Sequence, residues 1–126
     1  MKRSEHDAVA RAIADAEEGT TGRIAVRIIP DASVDAFERA KSEFTRVGLH
    51  RHEHANAALI LVAPKARRFA VIGDAALHAR VGDGFWQDVI ENSRPYFARG
   101  DVSGGIRYAV GRIGAVLHAH FADASA

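Results

Sequence analysis

Ala57-Ala58-Leu59-Ile60-Leu61-Val62, then Pro64-Lys65-Ala66-Arg67, then Arg68-Phe69-Ala70-Val71-Ile72, decides the fold. The first run is uninterrupted apolar sequence, far shorter than the roughly 20 residues needed to cross a bilayer. It suits a central strand covered on both faces. The connection that follows is too short for a crossover, so the strand over 68–72 must return antiparallel to it.

Towards the N-terminus, Arg23-Ile24-Ala25-Val26-Arg27-Ile28-Ile29 places Ile24, Val26 and Ile28 on one side and ends at Pro30, which cannot donate to a sheet. A helix separates this strand from the central one. Ser33 or Asp35 can cap it, Phe37, Ala40, Phe44 and Val47 form its expected apolar stripe, and Gly48 suits its C-terminal cap. Strand, helix, strand in that order predicts a parallel pair. Ahead of them, Ser4 and Asp7 resemble a capping box for a helix over 5–18, in which Val9, Ala12, Ile13 and Ala16 recur at helical spacing. Gly19-Thr20-Thr21-Gly22 then turns the chain.

Beyond the third strand, Gly73-Asp74 stops the chain and Asp74 can cap a short helix over 75–81, which Gly82-Asp83-Gly84 breaks. A helix over 85–98 follows, with Phe85 and Trp86 inward and Pro95 as its expected kink. Gly100-Asp101 with Gly104-Gly105 reads as a turn and cap for a last helix over 104–121. Gly111 and Gly114 weaken that helix by about 1 kcal/mol each relative to alanine, so close backbone packing is expected there. Residues 122–126 are expected to fray. The order predicts one α/β domain over 1–126: a three-layer α/β/α sandwich, its small mixed sheet of three to four strands flanked by helices.

Composition limits the chemistry. A chain of 126 residues, 48% of them hydrophobic, supports one core. The absence of cysteine excludes disulfides, thiol catalysis and thiolate metal sites. With 17 basic against 16 acidic side chains, a dedicated nucleic-acid binder is not expected, and Lys65 with Arg67-Arg68 reads as a solvated hairpin end. No window is long and apolar enough to span a membrane, and no apolar run follows Met1-Lys2-Arg3, so a cytoplasmic protein is expected. Phosphate-loop, dinucleotide and serine-elbow glycine motifs are missing.

The predicted topology gathers polar segments on one edge of the sheet. The turn at Thr21-Gly22, the loop over 50–56 and the end of the third strand at Gly73-Asp74 should meet there. Three chemistries compete for this edge. In an extended backbone, His50, His52 and His54 would point the same way, as a transition metal needs; in a solvated loop they would do nothing. Alternatively Asp74, Glu53, the Asn56 carbonyl and backbone oxygens could hold calcium or magnesium, with zinc the less favoured ion. A third reading places a phosphate or carboxylate on the free N–H groups after Asp74, with Arg51 as its forked partner.

The motifs reached so far resemble those of the TPM domain family. They are Glu17-Glu18-Gly19-Thr20-Thr21-Gly22-Arg23-Ile24, Gly48-Leu49-His50, Asn56-Ala57-Ala58-Leu59-Ile60-Leu61-Val62-Ala63, Phe69-Ala70-Val71-Ile72-Gly73-Asp74, Phe85-Trp86 and Tyr96-Phe97-Ala98-Arg99-Gly100-Asp101 with Gly104-Gly105-Ile106. The likeness is greatest to a short cytosolic subgroup without signal peptide or membrane anchor. It implies an α/β/α sandwich, a divalent-cation site and a phosphatase activity found in some members only. Where the family usually has glycine after Asn56, this chain has Ala57.

Three readings follow as expectations. The preferred one is a binding module that uses Thr21, Gly22, Arg51, Asn56 and Gly73 to take a protein partner or small anionic ligand, with a divalent cation on Asp74 and Glu53. The alternative is a metal-assisted phosphatase acting on phosphomonoesters, with Asp74, Glu53 and His50 as catalytic candidates. A domain with no ligand at all is the third.

Overall fold

In the computed structural model, which describes residues 1–123, every residue of the strand Ala57–Ala63 is buried. The reason is its position. The sheet has three strands: β1 (Arg23–Ile28), β2 (Ala57–Ala63) and β3 (Arg68–Gly73), in the order β1-β2-β3. β2 pairs parallel with β1, Arg23 facing Ala57, and antiparallel with β3, Gly73 facing Ala58. Successive side chains of a strand point to opposite faces. Ala57, Leu59, Leu61 and Ala63 therefore enter one core, and Ala58, Ile60 and Val62 enter another.

Four helices cover the two faces: α1 (Arg3–Glu17), α2 (Ala36–Arg46), α3 (Ala75–Ala98) and α4 (Val102–His120). α2 alone covers the face of Leu59 and Leu61, through Ala36, Ala40 and Phe44. The other face is covered by α1, α3 and α4, which contribute Val9, Leu77, Val89, Ile106, Ile113 and Leu117. The expected α/β/α sandwich is thus present, with a mixed sheet of three strands. Full burial of a leucine or isoleucine stabilises the fold by about 1.5–3 kcal/mol, so Leu59, Ile60 and Leu61, none of them exposed, form its centre.

Several local expectations are corrected. α1 starts at Arg3, not after Ser4; the Glu5 carboxylate accepts a 3.0 Å bond from the Lys2 backbone N–H. The stripe of α2 is rotated. Phe37 is 55% exposed, with the Lys41 ammonium 5.0 Å from its ring centre, while Glu43 is buried. Val47 lies past the last helical residue, and Gly48 follows it with φ +83, the left-handed cap that glycine favours. Asp35, rather than Ser33, caps the helix by accepting from the Glu38 N–H.

The expected break in α3 shrinks to one residue: Gly82, at φ 73 and ψ 175, is the departure from helical angles, and Pro95 stays within the helix. α4 begins earlier than expected, at Val102, with the Asp101 carboxylate accepting from the Gly104 N–H at 2.9 Å. At Gly114 a Cβ would lie 2.7 Å from the Cβ of Ala16, so α1 and α4 need glycine there. Gly111 faces open space, and nothing in the structure explains it. Ala122 does not fray: it pairs with Thr20, while residues 124–126 lie outside the described residues.

Candidate functional site

Parallel pairing sets Thr21-Gly22 beside Ala55-Asn56, because Arg23 and Ala57 are partners. β3 runs the other way and delivers Asp74 to the same edge. Two backbone bonds lock the junction: the Asp74 N–H donates to the Ala57 carbonyl at 2.8 Å, and the Ala76 N–H to the Ala55 carbonyl at 2.9 Å. Ala55 holds φ +51, a left-handed conformation that costs a non-glycine residue about 1–2 kcal/mol. Thr21, Gly22, Asn56, Gly73 and Asp74 are therefore brought together as the sequence suggested.

Asn56 is the centre of this edge. It is fully buried, and its Nδ2 donates to the Thr21 hydroxyl oxygen at 2.9 Å. Its Oδ1 has no hydrogen-bond partner among the described residues. Leaving a buried polar atom unsatisfied costs about 1–3 kcal/mol, which marks the position as more than packing.

The walls around Asn56 are held from three sides. The His52 Nε2 lies 2.8 Å from the Thr21 carbonyl; a carbonyl only accepts, so this nitrogen carries the proton. The Thr20 hydroxyl donates to the Glu17 carbonyl at 2.8 Å and accepts from the Gly22 N–H at 3.1 Å. The C-terminal strip closes the third side, where the Thr21 N–H donates to the Phe121 carbonyl and the Asp123 N–H to the Gly19 carbonyl. Below Asp74, a Cβ on Gly73 would fall 2.2 Å from Trp86, so only glycine lets that indole lie under the strand. The Trp86 Nε1–H donates to His78 Nδ1 at 3.0 Å, leaving the His78 Nε2 to face Asp83 at 3.5 Å. This Trp86–His78–Asp83 chain was not legible in the sequence, because the Gly82 break hides its helical spacing.

Within the edge, Asp74 also caps α3, its carboxylate accepting from the Ala75 N–H at 2.8 Å. Other candidates stand apart. The Glu53 side chain is 84% exposed and pairs with His54 at 3.2 Å. His50 and Arg51 sit exposed in the 3-10 turn Leu49–Arg51. The three imidazoles do not form one cluster: the rings of His52 and His54 lie 5.7 Å apart, and His50 is not grouped with them. The Ala55 N–H bonds the His52 carbonyl, so the backbone is folded rather than extended: His50 stays in the turn, His52 holds Thr21 and His54 lies beside Glu53. Among the described residues, no three His, Cys, Asp or Glu side chains are grouped to hold a metal ion.

With this geometry in view, the TPM domain family model matches residues 1–116. The chain belongs to the TPM domain family. This TPM domain is similar to the BA42 protein of the psychrophilic bacterium Bizionia argentinensis, with 28% identity, a TM-score of 0.87, and coverage of 97% of this chain and 84% of that one. Two further solved structures share its fold. One is the N-terminal domain of a protein from P. gingivalis, with TM-score 0.81, 15% identity, and 96% and 78% of the two chains covered. The other is the N-terminal domain of cg2496 from Corynebacterium glutamicum, with TM-score 0.71, 13% identity, and 93% and 74% covered. No curated protein matches the sequence. No helix among the described residues is long and apolar enough to cross a membrane.

Proposed function

We propose that this TPM domain is a ligand-binding module, and that its ligand at the Thr21–Asn56–Asp74 edge is a hard divalent cation, Ca²⁺ or Mg²⁺. The observation that carries the reading is the buried amide of Asn56 with one end unpartnered. A hard cation or its bound water would satisfy that oxygen, and the Asp74 carboxylate and backbone carbonyls of the same edge are donors of the same class. Ca²⁺ tolerates such an irregular oxygen set better than Mg²⁺, which demands a near-ideal octahedron. The affinity should be low, because few carboxylates neutralise the ion.

Titration with CaCl₂ and with MgCl₂, followed by amide chemical shifts and melting temperature, tests this. Saturable shifts at Thr21, Asn56 and Asp74, with a melting temperature that rises in the parent and not in Asp74→Ala or Asn56→Ala, support it. Each variant is compared with its own cation-free baseline, because losing the Asp74 cap alone costs about 1 kcal/mol. No saturable shift with either ion overturns it.

A second reading, hydrolysis of phosphomonoesters, draws its support from the phosphatase activity that the family resemblance implies. A bound cation would polarise the phosphoryl group and acidify a water. The scarcity of carboxylates counts against it, since Glu53 stands in solvent and Asp74 is engaged as a cap. Turnover of an aryl phosphate that requires a divalent cation and disappears in Asp74→Ala would establish it.

A further inference from the structure

The opposite end of the sheet carries a different feature. β2 leaves the edge described above at Ala57 and ends at Ala63, where the tight turn Pro64–Ala66 returns the chain into β3. Between this turn, the last third of α3 and the start of α4 lies a cavity of about 710 Å³, within the roughly 300–1,000 Å³ of small-molecule sites. Its apolar part comes from Val62, Phe69, Ile90, Phe97 and Val102. Phe97 is fixed in place: its ring lies 4.8 Å from that of Phe69, and a Cβ on Gly105 would approach it to 2.7 Å.

The charged lining is of one sign. Arg67 and Arg94 are the charged side chains on this side of the sheet, and no aspartate or glutamate lines the cavity. Arg68 alternates with Phe69, so its side chain turns to the α2 face with Ala70 and Ile72, where it lines a second hollow with Asp35. Arg67 is held at φ +53 by the turn, its N–H donating to the Pro64 carbonyl. Among the described residues, neither Arg67 nor Arg68 forms an ion pair, and Arg94 meets only Glu91, at 3.7 Å on the exposed helix surface. Such a surface pair contributes little and gives way readily to a better anion. Guanidinium forks match carboxylate and phosphate oxygens two at a time.

We propose that this cavity binds an amphipathic organic anion, a carboxylate or phosphate head on an apolar body. The head is held by Arg67 and Arg94, and the body lies against Phe69, Ile90 and Phe97. The site is separate from the Asn56 edge and does not depend on how that edge functions.

The test is a titration of the intact protein, read by amide chemical shifts, with octanoate, octyl phosphate, octan-1-ol, octyltrimethylammonium and inorganic phosphate. The proposal expects saturable shifts at Phe69, Ile90 and Phe97 with one or both of the anionic amphiphiles, and the arm that binds more tightly identifies the head group. Octanol and the ammonium compound should bind at least about tenfold more weakly, and inorganic phosphate should leave the aromatic positions unmoved. Arg67→Glu/Arg94→Glu should weaken the anions by at least about tenfold while the rest of the spectrum is retained. Ala98→Trp, at an exposed position on the cavity wall, should block them while leaving all charges in place. Equal affinity for octanol, an equal response to inorganic phosphate, no saturable shift, or full binding by both variants overturns the proposal.

Discussion

Glu43 and Asn56 are both buried polar side chains, and the fold treats them in opposite ways. Glu43 is 4% exposed on the α2 face, and three guanidinium groups converge on its carboxylate: Arg46 through a direct hydrogen bond, Arg39 at 3.8 Å and Arg27, from β1, at 3.9 Å. Asn56 is completely buried at the strand edge, with one amide end bound to Thr21 and the other bare. Both burials desolvate a polar group. Only Glu43 recovers the loss within the chain, so the first reads as structure and the second as a place kept for a ligand.

The largest effect should come from removing the support beneath the open edge. Trp86→Ala deletes a buried indole that fills the space under Gly73, and it should destabilise by about 3–5 kcal/mol in denaturant unfolding. It should also scatter the Thr21, Asn56 and Asp74 amide signals while those of α2 move little. If α2 responds as strongly, the two regions are not independent.

Glu43→Ala comes next. Charged hydrogen bonds of this kind contribute about 1.5–3 kcal/mol, and that loss should appear with the cation response at Asn56 unchanged. The pH dependence gives the same residue a second signature. The Arg46 hydrogen bond, helped by the charges of Arg46, Arg27 and Arg39 and opposed by burial, holds the Glu43 carboxyl below its ordinary value. A lowered folded-state pKa means that the unfolded chain binds more protons. The stabilisation is therefore complete above the unfolded carboxylate value of about 4.3 and is lost as pH falls through the lower folded one. Unfolding free energies measured across that range should fall less steeply for Glu43→Gln than for the parent. Identical slopes would show that the arginines do not act on this carboxylate.

The smallest stability effect should belong to the residue with the largest functional one. Asn56→Ala removes one hydrogen bond but also removes an unsatisfied oxygen, two changes of opposite sign and similar size, so the net change should stay within about 1 kcal/mol. The cation-induced shifts should vanish. A loss as large as that of Glu43→Ala would mean that the amide is fully partnered in solution and that the contrast between the two residues is false.

Much of this was readable along the chain. The uninterrupted run of β2, the short turn at Pro64–Ala66 and the helix between β1 and β2 specify strand directions through chain length and alternation alone, and the strand directions place Thr21, Asn56 and Asp74 on one edge. The inward face of α2 was not readable. A hydrophobic stripe pointed to Phe37, yet Glu43 goes inward because Arg39 and Arg46 on its own helix and Arg27 on the neighbouring strand neutralise it, and the approach of Arg27 is not written along the helix. The three histidines illustrate the same gap: alternation implied one direction, but the turn at Leu49–Arg51 and the bond from Ala55 fold that segment.

The sequence by itself determined which segments are strands and helices, the mixed sheet and the edge where polar loops converge, because periodicity and connection length are local properties. Tertiary structure decided which buried polar atoms find partners. It left Asn56 half satisfied, satisfied Glu43, and opened a cavity beside Arg67 where the sequence showed only a solvated turn. The approach of Arg27 to Glu43 and the state of the Asn56 amide depend on distances of a few ångströms between groups from different elements, and no pattern along a single strand or helix contains them.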